Sequence, residues 1–127
     1  MQFKGYTVEK IIDQPIILVD FKSYFEPAHH LSLVHFDIVQ AAAGIKGDAF
    51  CIVQLASDNR HYRQIVEAFE TRAKSSSLFS FDQRIKIVFV ESDGALPQFS
   101  TMIPYFPTLP DAIEFACQQY EMQMVGA

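Results

Sequence analysis

Residues 57–63, SDNRHYR, set two arginines and a histidine directly behind a short polar turn. Two uses fit that spacing. In the structural use, Ser57 or Asp58 caps the helix that follows, its side-chain oxygen accepting from an orphan amide of the first turn. In the binding use, Ser57, Asp58, Asn59, Arg60 and Arg63 hold a phosphate, a carboxylate or an acidic partner surface. Capping accounts for the serine and the aspartate. It leaves Arg60, His61 and Arg63 unexplained, because cations at the positive end of a helix cost roughly 0.3–1 kcal/mol each at low salt. Backbone amides, helix dipole and guanidinium groups together favour an anion there.

The other residues with chemical potential are weaker. His29, His30 and His35 fall in HHLSLVH, and the five-residue step from His30 to His35 turns them off a common helical face. Zinc on a helix wants a step of four and a carboxylate close by; Asp37 points elsewhere. The expectation is exposed histidines and no metal. There is no Gly-x-Ser-x-Gly, no glycine-rich phosphate loop and no His-Glu-x-x-His, so the reading is that the chain is not an enzyme and carries no cofactor. Aromatic residues crowd two stretches, FKSYFEP and MIPYFP. Tyr24, Phe25, Phe99, Tyr105 and Phe106 are therefore expected to line an apolar pocket or a dimer surface, against the plainer reading that they are core and loop anchors.

These residues need elements to hold them. YTVEKII (6–12) reads as a strand with one wet face, DQP (13–15) as a turn, and IILVDF (16–21) as a buried strand, which together predict an antiparallel hairpin. Leu31, Val34, Ile38, Ala41, Ala42 and Ile45 follow helical steps, with Glu26 and Pro27 opening the helix and Gly44 stopping it. AFCIVQLA (49–56) is the next buried strand, followed by a helix whose apolar stripe is Tyr62, Ile65, Val66, Phe69 and Ala73. IKIVFVES (85–92) is a third buried strand and TMIPYF (101–106) a short edge strand containing Pro104. Thr108 caps a last helix, whose buried stripe is Leu109, Ala112, Ile113, Ala116 and Tyr120. The sum is one α/β domain over residues 1–127: a mixed sheet opened by a hairpin, then β-α-β-α-β units crossing over right-handed, with three helices packed on it.

Composition narrows the partners. The 127 residues carry a net charge of −5, which argues against nucleic acid and anionic membranes. The longest apolar runs, PIILV, FCIV and IVFV, are far short of the roughly 18 residues of a membrane span. MQFKGYTVEK has no basic-then-apolar export pattern. Cys51 and Cys117 sit apart in apolar surroundings and read as reduced core residues, so a cytoplasmic setting is expected.

The hairpin YTVEKIIDQPIILVDF, the junction IVQLASDNRHYRQIVEAF and the ending IPYFPTLPDAIEFACQ together resemble the STAS superfamily. This is the SpoIIAA-like fold of anti-sigma-factor antagonists and sulfate-transporter tails. The chain looks closest to divergent bacterial members of unassigned function, some of which also resemble the lipid-carrying Sec14 fold. The resemblance implies a non-catalytic interaction or regulatory domain with a protein partner. The alternative is a carrier or sensor of a small apolar or anionic ligand. Family members switched by phosphorylation carry Asp–Ser–(Ser/Ala)–Gly after this strand. Here Asp58 is followed by Asn59 and Ser57 precedes it, so the usual switch is not preserved. Receiver-type sheets also place acids at strand ends, as Asp20, Asp58 and Asp93 are placed, but need a lysine at a strand end; Lys86 lies inside its strand. A homodimer is compatible with all of this.

Overall fold

The computed structural model describes residues 5–22, 25–55, 61–74, 85–91 and 103–126. Strands β1 (Tyr6–Lys10) and β2 (Ile16–Phe21) form the antiparallel hairpin, with Tyr6 facing Phe21 and Lys10 facing Ile17. Asp13 turns the chain at φ 63, a left-handed conformation that aspartate tolerates better than most residues. Helix α1 (Pro27–Ala42) leads to β3 (Ala49–Gln54), helix α2 (Tyr62–Lys74) to β4 (Ile85–Val90), and β5 (Tyr105–Phe106) to helix α3 (Leu109–Gly126). The sheet runs β1-β2-β3-β4-β5, parallel from β2 onward.

The burial pattern follows from this order. Because β2, β3 and β4 keep stepping in one direction, crossovers of one hand place α1 and α2 on one face. Val34, Ile38 and Ala42 of α1 join Tyr62, Ile65, Val66 and Phe69 of α2 in one core, over Ile17, Val19, Cys51, Val53, Ile87 and Phe89. On the opposite face α3 packs Ala112 and Ala116 on Ile16, Phe50, Ile52 and Val88. Strand β3 is covered twice, which is why its first five residues are all buried. In β1 only Tyr6 and Val8 turn inward, while Thr7 and Glu9 face water.

Two boundaries are built differently from expectation and a third is built as expected. Gly44 does not stop α1 by a left-handed turn: positive φ falls at Gly47 instead, and the Ala43 amide closes the helix by donating to the Val39 carbonyl at 3.0 Å. Pro104 stands before β5 rather than inside it, and its carbonyl accepts from the Phe89 amide at 2.9 Å. Thr108 caps α3 as expected, its Oγ1 accepting from the Asp111 amide at 3.3 Å. No helix among the described residues is long and apolar enough to cross a membrane.

Candidate functional site

The carboxyl ends of the parallel strands form one edge of the sheet, where open α/β sheets commonly bind ligands. Asp20 pairs in register with Gln54, Gln54 with Val90, and Val90 with Phe106, so these four residues mark that edge strand by strand. Of the five residues expected to bind there, Ser57, Asp58, Asn59 and Arg60 lie outside the described residues. Arg63 is described, exposed in the first turn of α2.

The start of α2 is described from His61 onward. The helix begins at Tyr62, and the His61 carbonyl accepts the Ile65 amide at 3.0 Å. His61 therefore stands at the helix entrance, while Ser57 and Asp58, the expected caps, lie outside the described residues. Its Nδ1 lies 2.9 Å from Gln64 Oε1, to which it donates. No acidic residue stands in the first turn. Among the described residues, the first turn of α2 thus holds a cation and no carboxylate, an arrangement that favours negative partners.

Asp20 lies at the same edge of the sheet, where its carboxylate pairs with Lys22 at 3.1 Å with both side chains roughly two-fifths exposed. Such an exposed pair contributes little stability. Asp58 and Asp93, the other two acids of a receiver-type pocket, lie outside the described residues. Lys86 is exposed within β4. Glu91 was not singled out by sequence, yet it is a buried carboxylate at the carboxyl end of β4, its amide donating to the Phe106 carbonyl at 3.0 Å. The alternation Ile87, Phe89, Glu91 carried the signal, since every second residue of a strand shares a face.

The histidine expectation fails at His35. It is buried, stacked on Phe69 with ring centroids 5.4 Å apart, and its Nδ1 donates to the Leu31 carbonyl at 2.7 Å. Asp37 does point elsewhere: it accepts the Tyr6 hydroxyl at 2.6 Å. Burial first, then that hydrogen bond and the negative charge of Asp37, push the Tyr6 phenol well above its ordinary range. Burial likewise raises the Cys51 thiol, which keeps it protonated and unreactive. Among the described residues no three of His, Cys, Asp or Glu gather closely enough to hold a metal ion.

The aromatic pocket is not assembled from the described members. Phe25 is wholly buried in the core, packed on Phe21 and Tyr6 at centroid distances of 4.7 and 5.9 Å. Phe106 packs against Phe115 of α3 at 5.1 Å, on the opposite face, and Tyr105 beside it is 41% exposed. Three strand spacings, about 14 Å, also separate β2 from β5. Tyr24 and Phe99 lie outside the described residues. Two clefts are formed by described residues. One, about 250 Å³, lies at the amino end of the parallel strands between Lys10, Gln14, Gly44, Lys46 and Tyr120. The other, about 400 Å³, runs beside β1 along Tyr6, Thr7, Val8, Asp37 and Ala41. No family model, curated protein or solved structure matches the chain.

Proposed function

We propose that the chain is a non-catalytic, cytoplasmic interaction or regulatory domain of the STAS kind, which binds an acidic partner through the start of α2. The observation that carries this reading is Arg63, exposed in a first turn that holds no carboxylate, at the exit of the doubly covered strand β3. A helix start shaped for stability alone would hold Asp or Glu there. With the Asp–Ser–(Ser/Ala)–Gly sequence absent, engagement depends on charge complementarity rather than on phosphorylation of a serine at the usual place.

The test is thermal unfolding of the full chain with an acidic peptide, inorganic phosphate, nucleotides and fatty acids, beside the Arg60→Glu/Arg63→Glu variant. A ligand at a hundred times its Kd stabilises the folded state by roughly 2.7 kcal/mol. A shift with the acidic peptide that disappears in the variant supports the interaction domain. A shift with a free anion or a fatty acid instead makes the chain a sensor or carrier. If nothing shifts the wild type, or the variant shifts equally, α2 does not bind through its start.

A further inference from the structure

The two edges of the sheet are built differently. Strand β5 is two residues long and stands between Pro104 and Pro107, which cannot donate to a further strand. Strand β1 has five residues, no proline, and no strand on its outer side among the described residues. Its hydrogen bonds fix which residues face outward. Lys22 donates to the Gly5 carbonyl at 2.7 Å and Ile11 to the Ile16 carbonyl at 3.0 Å. Odd-numbered residues of β1 therefore bond inward to β2, and the backbone N–H and C=O of Val8 and Lys10 point out of the sheet. Beside this edge runs the cleft of about 400 Å³, floored by Asp37 and Ala41 of α1.

We propose that this edge pairs with the β1 edge of a second copy, antiparallel about a two-fold axis at Val8, joining the two sheets into one of ten strands. Charge selects this register. Centred on Val8, all five residues of β1 overlap; Lys10 lies across from Tyr6 of the partner subunit, whose hydroxyl is held by Asp37, and Glu9 lies across from Thr7 of the partner subunit. Centring on Glu9 or Lys10 sets like charges directly opposite, which destabilises a strand pair. Centring on Thr7 leaves only three of the five strand residues paired. At Val8 the two copies exchange both backbone bonds.

The helices allow it. Helix α1 packs over β1 and β2. Two copies of α1, each over its own strand pair, would lie roughly 10 Å apart, two strand spacings, which is ordinary helix-packing distance. The flank of α1 beside this cleft carries Ala41, which is small, and Leu33, which is 44% exposed one turn before Asp37. The Val8 register also places Thr7 opposite Glu9 in a non-hydrogen-bonded pair, with Cα atoms about 4.5 Å apart, a geometry that a disulfide can bridge.

Sedimentation of the full chain, and oxidation of the Thr7→Cys/Glu9→Cys variant in a Cys117→Ser background, test the proposal. Thr7 and Glu9 are exposed, so the cysteines leave the monomer's packing unchanged. The expected result is a species of twice 14.4 kDa, a reducible covalent dimer from the double variant, and none from either single variant. Lys10→Glu, at another exposed position, should weaken the dimer about tenfold or more by facing Asp37 of the partner subunit with a like charge. A monomer at every soluble concentration overturns the proposal. A dimer cross-linked by Glu9→Cys alone also overturns it, because it reports another register. So does a dimer that neither links through the double variant nor weakens on Lys10→Glu. If Lys10→Glu fails to fold, the cysteine pair decides alone.

Discussion

Phe69 offers the most direct check on the larger core. Its side chain is fully buried in α2 and touches three rings: His35 stacked at 5.4 Å, Phe21 edge-on at 6.3 Å and Phe89 edge-on at 6.2 Å. These rings come from α1, β2 and β4, so the surrounding structure cannot collapse into the gap from one side. Phe69→Ala should then cost about 3–5 kcal/mol, transfer and cavity together. A chain of this length holds about 6–19 kcal/mol in total, so the variant should still fold with a large share of its stability lost. Urea unfolding followed by circular dichroism gives the number. With a slope of about 1–3 kcal/mol per molar, a 4 kcal/mol loss lowers the midpoint by about 1–4 M. A cycle with His35→Ala isolates the stacked pair, which should couple by about 0.5–1.5 kcal/mol. A loss below about 1 kcal/mol would put Phe69 outside the core, and zero coupling would remove His35 from its face.

The Tyr6 phenol titrates higher folded than unfolded, so its contribution to stability is complete below its ordinary value of 10.0 and is lost as pH rises beyond it. Tyr6→Phe should flatten the fall in melting temperature above that pH, and an unchanged slope would contradict the Tyr6–Asp37 bond; Cys51→Ala in both backgrounds removes the parallel contribution of the buried thiol, whose ordinary value is 9.0. Thr108→Ala should cost about 1 kcal/mol by leaving the Asp111 amide without its cap, with Thr108→Ser recovering most of it in the same urea assay. Arg63→Glu should leave stability unchanged or raise it by roughly 0.3–1 kcal/mol at low salt, a gain that added salt erases; marked destabilisation would make Arg63 a structural partner.

The sequence displays the order of elements because the sheet is covered unevenly. Ile16 to Phe21 and Ala49 to Val53 read as apolar runs since helices lie on both of their faces, and Tyr6 to Lys10 alternates since only α1 lies beneath it. What stayed hidden depends on which element lies beside which. His35 follows Val34 by one residue and Leu31 by four, on the flank of α1 that turns toward α2. Nothing in the helical period says that Phe69 closes over that flank. The same holds for Phe25, expected at an apolar pocket or dimer surface, which Phe21 and Tyr6 enclose in the core. The entrance of α2 at His61 was not legible either, because Ser57 and Asp58 are the strong capping types in the sequence and histidine is not one. Glu91 was passed over because an acid after an apolar run looks like a solvated strand end.

The place of the α2 start in this fold bears on why a costly arrangement of charge is tolerated there. Cys51 and Val53 of β3 enter the core beneath α1 and α2, while Phe50 and Ile52 enter the one beneath α3. β3 therefore binds the two cores together, and it is the strand that leads to Arg63. Misplaced cations at a helix end cost tenths of a kcal/mol to about one each, against several for any one of the large side chains that fix β3 and α2 in position. The buried face of α2 thus fixes the helix in position without depending on the charge at its start. A binding surface works best when its geometry is fixed by residues other than those that make contact. On the proposed function, exchanging Arg63 should alter binding to an acidic partner far more than folding, and exchanging Phe69 should do the reverse.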